Sequence, residues 1–128
     1  MSYKNWEING CSLFFDTEDL ESMERYEQAF GLLEEERKKL PKDGKATDRI
    51  RAYCALFQRL YNRIFGDGAS EKIFSNVRMN IDAYDEIYFQ FLEFIRHQGV
   101  EGGRQKAERL SHYQPKNRKQ KRHNKYRT

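Results

Sequence analysis

Residues 49–65, RIRAYCALFQRLYNRIF, carry the clearest alternation of apolar and polar positions in the chain. Ile50, Tyr53, Cys54, Phe57, Leu60, Tyr61, Ile64 and Phe65 recur at the spacing of one α-helical face. Arg49, Arg51, Gln58, Arg59, Asn62 and Arg63 fall on the opposite face, which suits solvent. At its usual rise this helix runs roughly 25 Å. Burying a Leu- or Phe-sized side chain is worth about 1.5–3 kcal/mol, so this face is expected to form the spine of a core. Gly66 supplies a helix stop, and Asp67-Gly68 a turn. Thr47 or Asp48 is the expected N-cap.

A second stripe of similar strength follows. Ile81, Tyr84, Ile87, Tyr88, Phe91, Leu92, Phe94 and Ile95 share a helical face, and Asn80 stands where a cap is needed. Residues 70–74 read as one short helical turn, with a loop over 75–79. That connection is expected to reverse the chain and pack the two helices antiparallel.

Upstream, Asp16-Thr17 and the acids that follow mark another helix start. This helix is expected to reach about Leu40, with Leu20, Met23, Tyr26, Phe30 and Leu33 inward, and Pro41 ending it. Residues 5–8 and 11–15 alternate as two short strands around Asn9-Gly10, a strong signal for a type I′ hairpin. Trp6, Ile8, Leu13 and Phe15 are its expected inward residues. An isolated hairpin is marginal in water, so this one must lean on helices. Downstream, Gly99, Gly102 and Gly103 are expected to break helicity, and 104–112 to form a last, lightly packed helix. The predicted fold is mainly α, in the α+β class: an N-terminal β-hairpin on a small helical bundle (residues 1–98). A polar helical extension (99–112) and a disordered basic tail (113–128) follow.

Composition changes this picture at the C-terminus. The net charge of +4 conceals an asymmetry. Residues 113–128 hold Lys116, Arg118, Lys119, Lys121, Arg122, Lys125 and Arg127 and no acid, leaving 17 positive against 20 negative residues upstream. Such a tail suits three uses: phosphate contacts on nucleic acid, a grip on an acidic protein surface, or solubilisation. Apolar residues are 38% of the chain, and 9 Phe and 8 Tyr account for much of that. These aromatics exceed what one two-helix contact requires. Phe57, Tyr61, Tyr84, Tyr88 and Phe91 are therefore candidates for an exposed partner-binding groove or a homo-oligomer interface, beside the plain reading as internal core.

The sequence offers little for catalysis. His97, His112 and His123 have no Cys or acid at metal-ligand spacing. Gly66-Asp67-Gly68 lacks the Lys-Ser/Thr of a phosphate loop, and Ser70 lacks a nucleophile-elbow context. Asp82, Asp85 and Glu86 are explained by a helix N-terminus and solvation. No catalytic residue, metal or cofactor is expected, and the chain is read as a non-enzyme. Cys11 and Cys54 read as buried, reduced thiols in a cytosolic protein, with a disulfide or redox pair as the alternative. No apolar run approaches a membrane span, and the first ten residues lack a signal core.

The stretch LYNRIFGDGASEKIF, residues 60–74, resembles the FFxxLFGEGTxEKLF segment of a small phage and prophage family from Gram-positive bacteria. Trp6-Glu7-Ile8-Asn9-Gly10 with Phe14-Phe15-Asp16 is similar to its EINGxxxxFD start. Glu24-Arg25-Tyr26-Glu27 matches its ERYE, and residues 113–122 resemble its basic YsPNRaQRR ending. Two departures are Ser75-Asn76-Val77-Arg78-Met79-Asn80, where relatives carry a Gly-rich turn, and Lys116 inside the Pro-Asn-Arg of the ending. The resemblance implies a tail assembly chaperone or accessory protein encoded near the tape-measure gene. Its expected partner is a phage structural protein, the tape measure or a tail protein, met in the host bacterial cytoplasm. The alternative is a nucleic-acid-binding phage protein, including an inhibitor of host defence, acting through the basic tail.

Overall fold

Two strands and four helices make up the computed structural model of the protein, which describes residues 3–113. β1 (Asn5–Ile8) and β2 (Cys11–Phe14) form an antiparallel hairpin, followed by α1 (Leu20–Lys38), α2 (Ala46–Phe65), α3 (Ala69–Ile73) and α4 (Ile81–Tyr113). The chain divides into two compact units, with the boundary between Gln98 and Gly99. The mainly α class with an N-terminal hairpin is as the pattern predicts.

In the first unit, the hairpin turns where the sequence demands it. Asn9 and Gly10 both take positive φ, 47° and 80°, which a type I′ turn requires. Ile8 then pairs with Cys11 and Trp6 with Leu13, and Phe15 N–H donates to Lys4 O to add one more rung. This register sends Trp6, Ile8 and Phe15 into the core. Asn9 has a second task that propensity does not reveal. Its Nδ2 donates to Ile73 O (3.0 Å) and Ser75 O (2.5 Å), fixing the turn to the end of α3.

α1 begins at Leu20, later than Asp16-Thr17 suggests, because Asp19 supplies the cap and accepts from Ser22 N–H. Leu20, expected inward, is exposed, while Ala29 and Leu33 are the fully buried residues of α1. α2 begins at Ala46, so Thr47 and Asp48 lie within its first turn and neither caps it. Asp48 still places a negative charge where the helix dipole favours one. α1 and α2 are antiparallel: Glu36 meets Arg59 and Arg63, while Leu40 lies beside Ala52 and Leu56.

The relation between α2 and α4 differs from expectation. Tyr53 bonds Asp85, Phe57 packs on Tyr88, and Tyr61 and Phe65 pack on Phe91. Partner numbers rise together, so the two helices run parallel, not antiparallel. The cause is the connection. From α3 the chain doubles back along α2, with Phe74 against Tyr61 and Met79 beside Thr47 and Ile50. The stretch 74–80 alone can reach roughly 25 Å when extended. α4 therefore starts near the N-terminal end of α2, with Asn80 Oδ1 accepting from Ala83 N–H as its cap.

The described residues of the second unit, 99–113, are the C-terminal part of α4. Gly99, Gly102 and Gly103 do not interrupt the helix. Glycine costs about 1 kcal/mol relative to alanine but does not block helical hydrogen bonds as proline does. Arg104 pairs with both Glu101 and Glu108, and such i,i+3 and i,i+4 pairs favour the helix here.

Candidate functional site

The aromatic residues proposed for an exposed groove are largely internal. Phe57, Tyr61, Tyr84 and Phe91 are buried, and Tyr88 is half-buried. Phe91 is the hub: the rings of Trp6, Tyr61, Phe65, Phe94, Phe30 and Tyr26 surround it at centroid distances of 5.1 to 6.5 Å. Those separations are the favourable range for aromatic pairs. The hairpin and α1 close over the seam between α2 and α4 at Tyr61, Tyr88 and Phe91, while Tyr84 borders the cleft described below. The second set of candidates, Lys116, Arg118, Lys119, Lys121, Arg122, Lys125 and Arg127, lies outside the described residues.

Three tyrosine hydroxyls in this core have different fates. Tyr53 Oη donates to Asp85 at 2.5 Å, and its pKa is pushed up to about 12, by burial first and then by that bond. Tyr84 Oη accepts from Gln58 Nε2 at 3.0 Å. Tyr61 Oη is buried without a partner among the described residues, and burial holds its proton far more tightly than usual. Cys54 is buried and Cys11 half-buried, both as free thiols whose pKa burial raises.

An open cleft of about 510 Å³ lies along α2, walled by α3, the returning stretch 74–80 and Tyr84 of α4. Its floor is polar. Gln58 and Asn62 stand one helical turn apart on α2, and Ser70 faces them from α3. Asn62 Oδ1 accepts from Ser70 N–H at 2.9 Å. The apolar wall is Phe74, stacked on Tyr84 at 3.9 Å, with Val77 and Met79. Sequence reasoning assigned Gln58 and Asn62 to solvent. The signal that marks them is an i,i+4 pair of neutral amides among arginines, opposite a segment able to fold back.

Large apolar side chains also remain in water. On α4 of the first unit, Phe89 is 59% and Leu92 38% exposed. In the second unit, Val100, Leu110 and Tyr113 are exposed, and Leu110 and Tyr113 border a shallow hollow with Lys106 and Arg109. Among the described residues, no three His, Cys, Asp or Glu side chains are grouped to hold a metal ion. No helix among them is long and apolar enough to cross a membrane.

Residues 9–125 match a family described as a family of unknown function, DUF6673. No curated protein and no solved structure matches the chain.

Proposed function

The chain belongs to this family of unknown function, and we propose that it is a non-enzymatic phage tail assembly chaperone or accessory protein. Its partner in this reading is a structural protein such as the tape measure, bound in the cytoplasm of the host bacterium. The observation that carries the reading is the pair Phe89 and Leu92, exposed one helical turn apart on α4 while Tyr84, Tyr88, Phe91 and Phe94 of the same stretch pack inward. Large apolar neighbours left in water favour association, and an i,i+3 pair on a helix is the anchor spacing of helix-on-helix docking. A long helical tail protein offers complementary apolar faces before assembly. The resemblance of residues 6–16, 24–27, 60–74 and 113–122 to the prophage family supports the same reading.

Capture of a tape-measure-like protein by the full chain, by a Phe89→Glu/Leu92→Glu variant and by a chain ending at residue 112 tests it. The double variant is expected to lose capture with its melting temperature unchanged, and the shortened chain to weaken it. Equal capture by all three excludes both surfaces. The seven tail cations favour a second reading, binding to nucleic acid. It requires a gel shift that fades steeply with salt as counterions are released. No shift at low salt removes it.

A further inference from the structure

The cleft between α2, α3 and the returning stretch contains unused hydrogen-bonding capacity of a specific kind. Gln58 spends its Nε2 on Tyr84 Oη, which leaves its carbonyl oxygen free. Asn62 spends its Oδ1 on Ser70 N–H, which leaves its NH₂ free. Ser70 is only 7% exposed, yet its hydroxyl has no partner among the described residues and borders the cleft. One acceptor, one donor and one hydroxyl thus line a single floor, beneath the apolar wall of Phe74, Val77 and Met79.

We propose that this cleft binds an extended stretch of polypeptide backbone. The carbonyl of Gln58 accepts a peptide N–H, and the NH₂ of Asn62 donates to a peptide C=O. Side chains one turn apart on a helix stand about 5–6 Å from each other. An extended strand offers an N–H and a C=O together on one edge and repeats that pair about every 6.6 Å, so an acceptor and a donor one helical turn apart fall within a single repeat. An aliphatic side chain of the bound segment then rests against Phe74, Val77 and Met79. Charge argues against a phosphorylated ligand. Arg59 at the rim is shared with Glu36 at 3.3 Å, and the Glu71 carboxylate lines the same cleft. A neutral amide backbone meets neither obstacle. This site is separate from the Phe89–Leu92 face, and its test does not involve a tape-measure protein.

The test is an NMR titration of the ¹⁵N-labelled full chain with the capped peptide acetyl-Ala-Leu-Ala-Leu-amide, and separately with adenosine monophosphate. The peptide is expected to shift the side-chain NH₂ signals of Asn62. Replacing its central amide by an ester is expected to weaken binding roughly tenfold, as loss of one well-made hydrogen bond does. Ala55→Trp, which fills the cleft, should abolish the shifts. Gln58→Met, which removes the acceptor at similar volume, should weaken binding several-fold and serves if Ala55→Trp does not fold. Absence of Asn62 shifts up to the solubility limit overturns the proposal. Equal affinity in Gln58→Met, or binding of the nucleotide and not the peptide, overturns it as well.

Discussion

Replacing Gln98 by leucine separates the shape of this side chain from its hydrogen bonds. Gln98 is 2% exposed and holds both ends of the hairpin. Its Nε2 donates to Phe15 O at 2.7 Å and to Tyr3 O at 3.3 Å, and its Oε1 accepts from Thr17 N–H at 2.6 Å. Leucine keeps most of the volume and leaves these backbone groups unpaired. An unsatisfied buried group costs about 1–3 kcal/mol. The bonds to Phe15 and Thr17 are the shorter ones, so two such penalties apply in full. The added apolar contact of leucine returns about 1 kcal/mol. The net loss is then about 1–5 kcal/mol, against the roughly 5–15 kcal/mol that holds an ordinary domain folded. Urea unfolding of the full chain, followed by tryptophan fluorescence of Trp6, measures it. Hydrogen exchange at the Thr17 amide should accelerate in the variant ahead of amides in α2. A Gln98→Leu chain within about 0.5 kcal/mol of the parent, the usual spread of neutral surface changes, would refute the reasoning.

Glu36 accepts a two-pronged bond from Arg63 at 2.8 and 3.2 Å, which, with Arg59 beside it, holds its carboxyl below the usual 4.5. A lowered folded pKa contributes stability above the unfolded value that disappears as pH falls through the folded one. Urea midpoints should therefore separate Glu36→Gln from the parent at neutral pH, and the gap should shrink as the pH falls below the ordinary carboxylate range. Tyr53 has the opposite sign: its folded pKa is raised from 10 to about 12, so the stability it supplies is present below 10 and lost as pH climbs toward 12. Ultraviolet titration of Tyr53→Phe should lack one late phenolate, and this variant should resist alkali better than the parent. Asn9→Gly keeps the positive φ of the turn but removes both bonds to the end of α3, and should cost about 1–2 kcal/mol in chemical unfolding.

Much of the fold is legible along the chain because its cues are local. Asn9-Gly10, the Asn80 cap, the Gly66 stop and the two apolar stripes each act within a turn or two of themselves. What escapes is what depends on a distant partner. Periodicity shows that Phe57, Tyr61 and Phe91 need cover, but not that the hairpin and α1 provide it. The direction of α4 turns on whether the stretch 74–80 lies back along α2, and no residue there encodes that choice by propensity alone. Gln98 gave a usable cue. It continues the stripe of Phe91, Phe94 and Ile95 at helical spacing, and a polar residue on such a stripe calls for buried partners. The cleft is the least legible feature, because Gln58 and Asn62 look like ordinary surface residues until α3 faces them.

The clasp made by Gln98 spans almost the whole first unit, reaching Tyr3 across a sequence separation of 95 residues. During synthesis the hairpin emerges first, yet the side chain that secures its ends arrives only after α1, α2 and most of the aromatic hub. A nascent chain halted anywhere before that point carries an unsecured hairpin and uncovered rings of α2. The ends of the hairpin can therefore be clasped only once residue 98 is in place, which ties the first-made element of this unit to the last turn of its final helix.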